Sequence, residues 1–258
     1  MRTLPYHVTP FILAIIISIA SSHICAATSL QNSDSGPMPQ YIFTGFDARH
    51  PQFIEASLVI GQGGKIKNGS PLSRSAESHL HNYLDGPRVD GCIAVGEFYH
   101  DYINAPRRGS LAATISDADF VLEGRVVNRS YGFMDGVPGQ LLRIRTHDAL
   151  KTSRESLRSI YYIFVPVADF TVAGVHFCKT DRRYPTPPEI GDTLFVFGQN
   201  EFVSDEYINT VDEAGYVRVL PSGVAVLPRS LRNDGDEQAQ ASEIRRLATA
   251  SNNLRVGQ

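Results

Sequence analysis

The chain has 258 residues, of which 42% are hydrophobic, and a formal net charge of -3 at pH 7. Nucleic-acid binding usually needs a concentrated basic surface, so this mild acidity gives no reason to expect it. The length suits one domain with extensions or two small domains.

The first residues have the pattern of an export signal. Arg2 supplies a positive charge, "FILAIIISIA" is apolar, and "SSHICAATS" supplies small residues for cleavage. The apolar run is short for a membrane span of about 20 residues. We therefore predict a signal peptide over residues 1–27 and a secreted or periplasmic protein with no stable span after cleavage. A retained anchor and a lipid on Cys25 are the alternatives.

Removal of this signal leaves two cysteines, Cys92 and Cys178. In an oxidising compartment two cysteines most simply form one disulfide. His176 would share a strand face with Cys178, so a reactive Cys–His pair is an open alternative. A zinc site needs about four closely spaced ligands, and no Cys-x-x-Cys occurs.

Residues 28–90 are predicted to form a flexible or loosely packed extension. The stretch 28–40 is polar with glycine and proline, as in disordered leaders. Two short strands are predicted at "YIFTGF" and "FIEASLVI". The stretch 61–91 reads as irregular loop with a short helix at "SAESHLHNYL".

Strand patterns dominate the chain after residue 91. A helix at "GSLAATISDAD" precedes "DFVLEGRVVN" and "QLLRIRTHDALK", which alternate in polarity around the turn signals Asp135-Gly136 and Pro138-Gly139. They predict a hairpin with one wet face. Further apolar segments, "SIYYIFVPV", "VAGVHFC", "DTLFVFGQ", "GYVRVL" and "GVAVLP", complete a set of six to eight strands.

This pattern predicts a mainly β fold, with a small barrel or sandwich over residues 91–232 and flanking short helices. A barrel also removes exposed sheet edges. Residues 233–258 are predicted to form a helix or tail, with Ile244, Leu247 and Ala248 as one apolar stripe.

Residues 91–228 resemble netrin-like domains, the OB-type barrels that include tissue inhibitors of metalloproteinases. The motifs that carry the resemblance are "SLAATISDADFVLEGRVV", "LLRIRTHDALK" and "EIGDTLFVFG". A cysteine before the first strand, bridged to a middle strand, also suits Cys92 and Cys178. The segment "CKTDRRYPTPPEIGD" is similar to secreted bacterial proteins of no known function.

The resemblance implies an OB-like scaffold but not inhibitor chemistry. The metalloproteinase inhibitors carry a cysteine at the mature amino terminus, whose free amine meets the protease zinc. Here Cys92 lies well inside the chain. A protease-inhibitor-like role is therefore kept only as an alternative.

Two candidate binding surfaces stand out. Arg143, Arg145 and His147 form a basic row on the wet face of a predicted strand, beside Arg125 and Arg129 if the hairpin pairs. Such a row suits a phosphate, a sulfated sugar or an acidic partner, although a salt-bridged exterior with Glu123 would look the same.

The second candidate is the turn after Cys178. Five polar residues crowd a stretch made stiff by prolines; they are Lys179, Asp181, Arg182, Arg183 and Tyr184. A rigid loop on a stable scaffold loses little entropy on binding. The other interpretation is a structural connector whose path the prolines set.

Histidines offer a metal-binding alternative. His79-x-His81, with Glu77 and Asp85 close by and His100-Asp101 further on, could collect an ion. An incidental solvated loop is the simpler interpretation, so no metal and no cofactor are predicted. The chain has no Gly-x-Ser-x-Gly and no His-Glu-x-x-His motif, and "GQGGK" lacks the spacing of a phosphate loop.

The sequence therefore favours an exported, non-catalytic binding or structural module. Its partner is predicted to be an unidentified protein or an anionic ligand. The competing class is a secreted, metal-assisted hydrolase that uses His79 and His81.

Overall fold

The computed structural model describes residues 38–39, 41–43, 52–95, 110–152, 158–166, 168–179, 187–199, 207–210, 215–228, 231 and 238–256. Within these ranges the protein is mainly β, with two sheets and short helices. The predicted mainly β class is confirmed. The predicted signal peptide, residues 1–27, lies outside these ranges, and its cleavage and the compartment stay predictions.

Four α-helices occur within the described ranges: α1 (Ala56–Val59), α2 (Arg74–Leu84), α3 (Leu111–Asp117) and α4 (Ala241–Val256). Serine side chains cap α2 and α3, where Ser73 and Ser110 accept hydrogen bonds from the third residue beyond them. None of these helices combines the length and apolarity needed to cross a membrane.

The larger sheet has ten strands, most of them antiparallel to their neighbours. They are β1 (Tyr41–Phe43), β2 (Gln52–Glu55), β5 (Phe120–Met134), β6 (Val137–Lys151), β7 (Ile160–Val165), β10 (Thr193–Gln199), β11 (Tyr207–Thr210), β12 (Tyr216–Val219), β13 (Val224–Val226) and β14 (Gln238–Gln240). The smaller sheet has the order β3 (Arg88–Val89), β4 (Cys92–Val95), β9 (Val175–Lys179) and β8 (Phe170–Val172).

Five strands of the larger sheet share an additional feature. Strand β5 pairs with β6 and also with β10, β6 pairs with β7, and β7 pairs with β11, which pairs with β10. Each of the five is thus hydrogen-bonded to two others of the set. The β7–β11 ladder is parallel and the other four are antiparallel.

Strands β5 and β6 form the predicted hairpin, longer than the sequence pattern indicated. Its two-residue turn is Asp135-Gly136, with φ values of +50° and +82°, as a type I′ turn requires. Pro138-Gly139, the other predicted turn, lies inside β6. Proline is tolerated there because the β7 ladder begins only at Gln140, so no second neighbouring strand requires an N–H donor at position 138.

All members of the five-strand set contribute side chains to one apolar cluster. Leu142 and Ile144 of β6 lie in it with residues of β5, β7, β10 and β11, as the alternation predicts. On the opposite face, Phe195 and Phe197 of β10 pack against α3 and α4. Strand β10 is therefore apolar on both faces because a sheet layer and a helix layer cover it.

A second apolar cluster joins the amino-terminal segment to the far end of the hairpin. It combines Ile54 and Val59 with Leu80 of α2, Phe133 of β5 and Phe177 of β9. Residues 52–84, which belong to the predicted extension, thus supply buried side chains to a core. The predicted domain boundaries themselves stay predictions.

The predicted Cys92–Cys178 disulfide is confirmed. It joins β4 to β9, which pair in parallel with Ala94 opposite Cys178. Both cysteines are almost fully buried. Because Cys178 is bridged, it is not the thiol of a reactive Cys–His pair, and His176 instead lies 2.8 Å from the Asp169 carboxylate.

A buried lysine ties α3 to the hairpin. Lys151, the last residue of β6, has no exposed surface, and its Nζ donates to the carbonyl oxygens of Ile115 and Ser116, each at 2.8 Å. These carbonyls lie in the last turn of α3, where helix oxygens have no intrahelical partner. A cation at the carboxyl end of a helix is also favoured by the helix dipole.

Candidate functional site

The segment that leads into β10 is a compact turn, Glu189–Asp192. The Asp192 Oδ2 accepts a hydrogen bond from the Glu189 N–H at 2.8 Å, and the Asp192 N–H donates to the Glu189 carbonyl at 3.1 Å. Arg218 of β12 contacts the same Oδ2 through its Nε at 2.9 Å, as an ion pair without hydrogen-bond geometry. The aspartate thus closes the turn and ties it to β12.

Strand β5 holds the turn from a second side. The Gly191 N–H donates to the Val126 carbonyl at 2.8 Å, and the Val126 N–H donates to the Asp192 carbonyl at 2.9 Å. The Arg125 Nε donates to the Gly191 carbonyl at 3.1 Å. Gly191 has φ +99°, a conformation that favours glycine. The "Gly-Asp" pair is therefore required by the backbone of this turn.

A buried glutamine fixes the residue that precedes the turn. Gln140 of β6 has no exposed surface, and its Nε2 donates to the Pro188 carbonyl at 3.3 Å. Three strands, β5, β6 and β12, therefore contact the stretch from Pro188 to Asp192. We call this stretch the anchor turn.

The tip of the anchor turn is apolar. Ile190 is 57% exposed, and the other large hydrophobic residue exposed among the described residues is Val89, at 38%. The isoleucine thus projects from a turn whose backbone is held by its neighbours.

The predicted basic row lies on the outer face of the hairpin, next to the anchor turn. Arg145 is directly opposite Arg125 in the β5–β6 ladder, and Arg143 is opposite Asn128. Arg143 and Arg145 are half-buried and make further interactions within the protein, whereas His147 is exposed. Arg125 links the row to the anchor turn through its bond to Gly191.

The carboxylate predicted to neutralise this row has a different partner. Glu123 accepts two hydrogen bonds from Arg245 of α4, at 2.8 Å from Nε and 2.7 Å from Nη2. The Glu123 hydrogen bond raises the pKa of Arg245, with a smaller contribution from the charge of Asp148. This paired group fixes α4 on the sheet, so Glu123 belongs to the helix contact.

The predicted loop site is only partly described. Lys179 ends β9, where its backbone pairs with Val95 of β4. Asp181, Arg182, Arg183 and Tyr184 lie outside the described residues, so their role stays a prediction. The structure does show both flanks of this loop, namely the disulfide-linked strand before it and the anchor turn after it.

The two histidines of the metal alternative lie on α2. Residues two apart on a helix point about 200° apart, so His79 and His81 do not face one ion. The Nδ1 of His79 lies 3.2 Å from the Asp135 carbonyl, and His81 is exposed. No group of three or more histidine, cysteine or acidic residues is placed to hold a metal within the described ranges, and His100-Asp101 lies outside them.

No protein-family model and no curated protein matches this chain. The netrin-like resemblance of residues 91–228 therefore stays a prediction.

Sequence reasoning missed three residues of the anchor turn and its supports. Gln140 and Arg218 looked like ordinary strand positions, because their contacts to Pro188 and Asp192 span 48 and 26 positions along the chain. Ile190 lies in the motifs "CKTDRRYPTPPEIGD" and "EIGDTLFVFG", neither of which indicates an exposed position. The one available signal was an apolar residue between Glu189 and the turn-forming "Gly-Asp" pair.

Proposed function

We propose that the protein is an exported, non-catalytic binding module whose binding surface combines the anchor turn with the basic row. The observation that carries this proposal is the bond from Arg125 to Gly191, because it places a guanidinium at the junction of the two features. The ligand that fits is anionic, since Arg143 and Arg145 continue the positive charge along the neighbouring strand.

We also propose that the five-strand set is an OB-type barrel of the netrin-like kind. Its support is the strand arrangement: β10, β5, β6 and β7 lie side by side in the Greek-key order, in which the fourth strand returns beside the first. The OB type is a five-stranded, partly open Greek-key barrel. Strand β11, paired with β7 and β10, takes the place of the fifth strand.

Binding to anions can be tested with two immobilised probes, heparin and poly-L-glutamate. We expect the double variant Arg143→Gln/Arg145→Gln to elute at lower salt than the wild-type protein, because fewer counterions are released when fewer cations bind. The matched control is Arg88→Gln/Arg246→Gln, which removes two exposed positive charges elsewhere.

Equal elution of the two double variants would contradict the proposal, because net charge alone would then explain retention. Thermal melts of both variants are needed beside the chromatography. The half-buried arginines also contribute to packing, and an unfolded variant would be uninformative.

The hydrolase and inhibitor alternatives predict different measurements. A stoichiometric bound ion after purification would favour the hydrolase, and tight inhibition of a protease would favour the inhibitor. Neither has support in the described contacts: the His79 imidazole is engaged with the hairpin turn, and the Cys92 nitrogen lies in the peptide bond after Gly91 and is not a free amine.

A further inference from the structure

Ile190 combines an exposed side chain with a backbone that is hydrogen-bonded on both sides. A single exposed apolar side chain is ordinary on a protein surface and by itself indicates nothing. This one differs because it stands at the tip of a turn that three neighbouring strands hold. An exposed tip held in one conformation can bind with little loss of conformational entropy.

The backbone on both sides of Ile190 is fixed by separate contacts. Before it, the Pro188 carbonyl accepts from the buried Gln140 side chain, and the Glu189 N–H donates to Asp192. After it, both polar backbone atoms of Gly191 are bonded to β5. The isoleucine is therefore presented in a defined direction, which a plain connector between β9 and β10 would not require.

Positive charge lies on one side of this tip. Arg125 is exposed, bonds to the residue after Ile190, and has Arg145 as its cross-strand neighbour. Glu189 is the one acidic side chain of the turn that is exposed, since the Asp192 carboxylate is paired with Arg218. Arginine is enriched at protein interfaces, and here Arg125 adjoins an exposed apolar side chain.

We propose that the anchor turn is a protein-docking element, in which Ile190 enters an apolar pocket of a partner whose rim carries carboxylates. The inference rests on the proposed binding function and narrows its ligand to a protein. Arg125 and Arg145 would face the acidic rim, and the isoleucine would contribute the buried contact at the centre. A sulfated polysaccharide offers charge but no pocket for the isoleucine.

The test is photo-crosslinking in the producing organism, with benzoylphenylalanine in place of Ile190 in one full-length variant. The control carries the same residue in place of Val89, the other exposed large hydrophobic position. We expect a covalent adduct from position 190 alone, to a protein that mass spectrometry identifies. No adduct at position 190, or the same adduct from both positions, would overturn the proposal.

The identified protein is then purified and its affinity for variants is measured. We expect Ile190→Ser to weaken binding about tenfold or more, because a central interface anchor is lost. Ile190→Leu and Val89→Ser are expected to stay within about twofold of the wild-type protein. Binding that Ile190→Ser leaves unchanged would overturn the docking role.

The two proposals fail differently. If Ile190→Ser binds normally while Arg143→Gln/Arg145→Gln binds poorly to heparin or poly-L-glutamate, the docking element is wrong and the anion-binding module stands. If neither probe distinguishes the arginine variant from its control, the proposed function itself is wrong.

Discussion

Tyr216 shows how a single polar atom can be isolated in the apolar interior. The residue is 4% exposed and belongs to the apolar cluster to which the five strands contribute. Its hydroxyl has no hydrogen-bond partner among the described residues. Burial raises the pKa of this hydroxyl, and the charge of Arg218 offsets part of the rise. The folded protein therefore keeps Tyr216 neutral to a higher pH than the unfolded chain does.

This isolation predicts an alkaline weakness that one substitution removes. The unfolded tyrosine loses its proton near pH 10, so unfolding becomes easier as the pH rises from about 10 toward the higher folded pKa. We expect Tyr216→Phe to be at least as stable as the wild-type protein at pH 7. Its unfolding free energy should fall less between pH 9 and pH 11, measured by urea denaturation.

A second interior tyrosine provides the control for this experiment. The Tyr161 hydroxyl accepts a hydrogen bond from the Arg158 N–H at 3.0 Å. Tyr161→Phe is expected to lower the unfolding free energy at pH 7 by about 1 kcal/mol, because that N–H loses its partner. If Tyr216→Phe loses as much stability as Tyr161→Phe, the Tyr216 hydroxyl has a partner after all.

At the scale of elements, the hairpin tip is a docking point for α2. A Cβ on Gly136 would overlap the carbonyl oxygen of Ala76 and crowd His79. His79 also contacts the Asp135 carbonyl. The histidine that the sequence offered as a metal ligand thus lies at the contact between a helix and a turn, and Gly136 is needed there both for its φ and for its size.

Two glycine substitutions separate these requirements. Gly136 and Gly174 have φ values of +82° and +80°, but the space around Gly174 is open. We expect Gly174→Ala to lower the unfolding free energy by about 1 kcal/mol through backbone strain alone. Gly136→Ala should lower the unfolding free energy by clearly more than Gly174→Ala does, since α2 must also shift. Equal losses of unfolding free energy in denaturant titrations would show that the hairpin tip is not closely packed against α2.

The sequence predicted elements whose cause is local. The alternation of Leu142 and Ile144 with Arg143 and Arg145 indicated the inner and outer faces of β6, and the structure confirms both. The sequence did not indicate that β2 is followed directly by the helical turn Ala56–Val59. Both "FIEA" and "SLVI" read as strand, because their apolar spacing fits either structure over so few residues.

The candidate surface was predictable only in its residue types. Positive charge in a row, a stiff proline stretch and a turn-forming "Gly-Asp" pair are visible in the sequence. The sequence does not show that these features meet at Arg125. Their contact depends on the β5–β10 ladder, which joins positions about 70 residues apart. No local pattern specifies which distant strand becomes the neighbour.

For the whole molecule, the β5–β6 hairpin is the shared part of two cores. Ile144 and Val126 lie in the cluster of the five strands, whereas Phe133 and Val137 lie in the cluster with α2 and the smaller sheet. The disulfide adds a covalent link between β4 and β9 within the second cluster. We therefore expect the described parts of the chain to unfold together.

The disulfide is expected to be a major source of this stability. It spans 86 positions, for which the chain-entropy estimate is a contribution of about 4.5 kcal/mol. The variant Cys92→Ser/Cys178→Ser should lose a free energy of that order in chemical denaturation, with one transition retained. A loss of unfolding free energy below about 1 kcal/mol, or two separated unfolding transitions, would contradict a single cooperative unit stabilised by the disulfide.

The second cluster also sets an order of events in time. Its first members, near Ile54, have their partners near Phe133 and Phe177. In a chain that emerges from its amino terminus, Ile54 precedes Phe133 by 79 positions and Phe177 by 123, so this cluster stays incomplete until those residues are present. Contacts this distant in sequence form slowly, and exposed apolar segments invite aggregation meanwhile. The architecture thus makes completion of this cluster a late step in the folding of the chain.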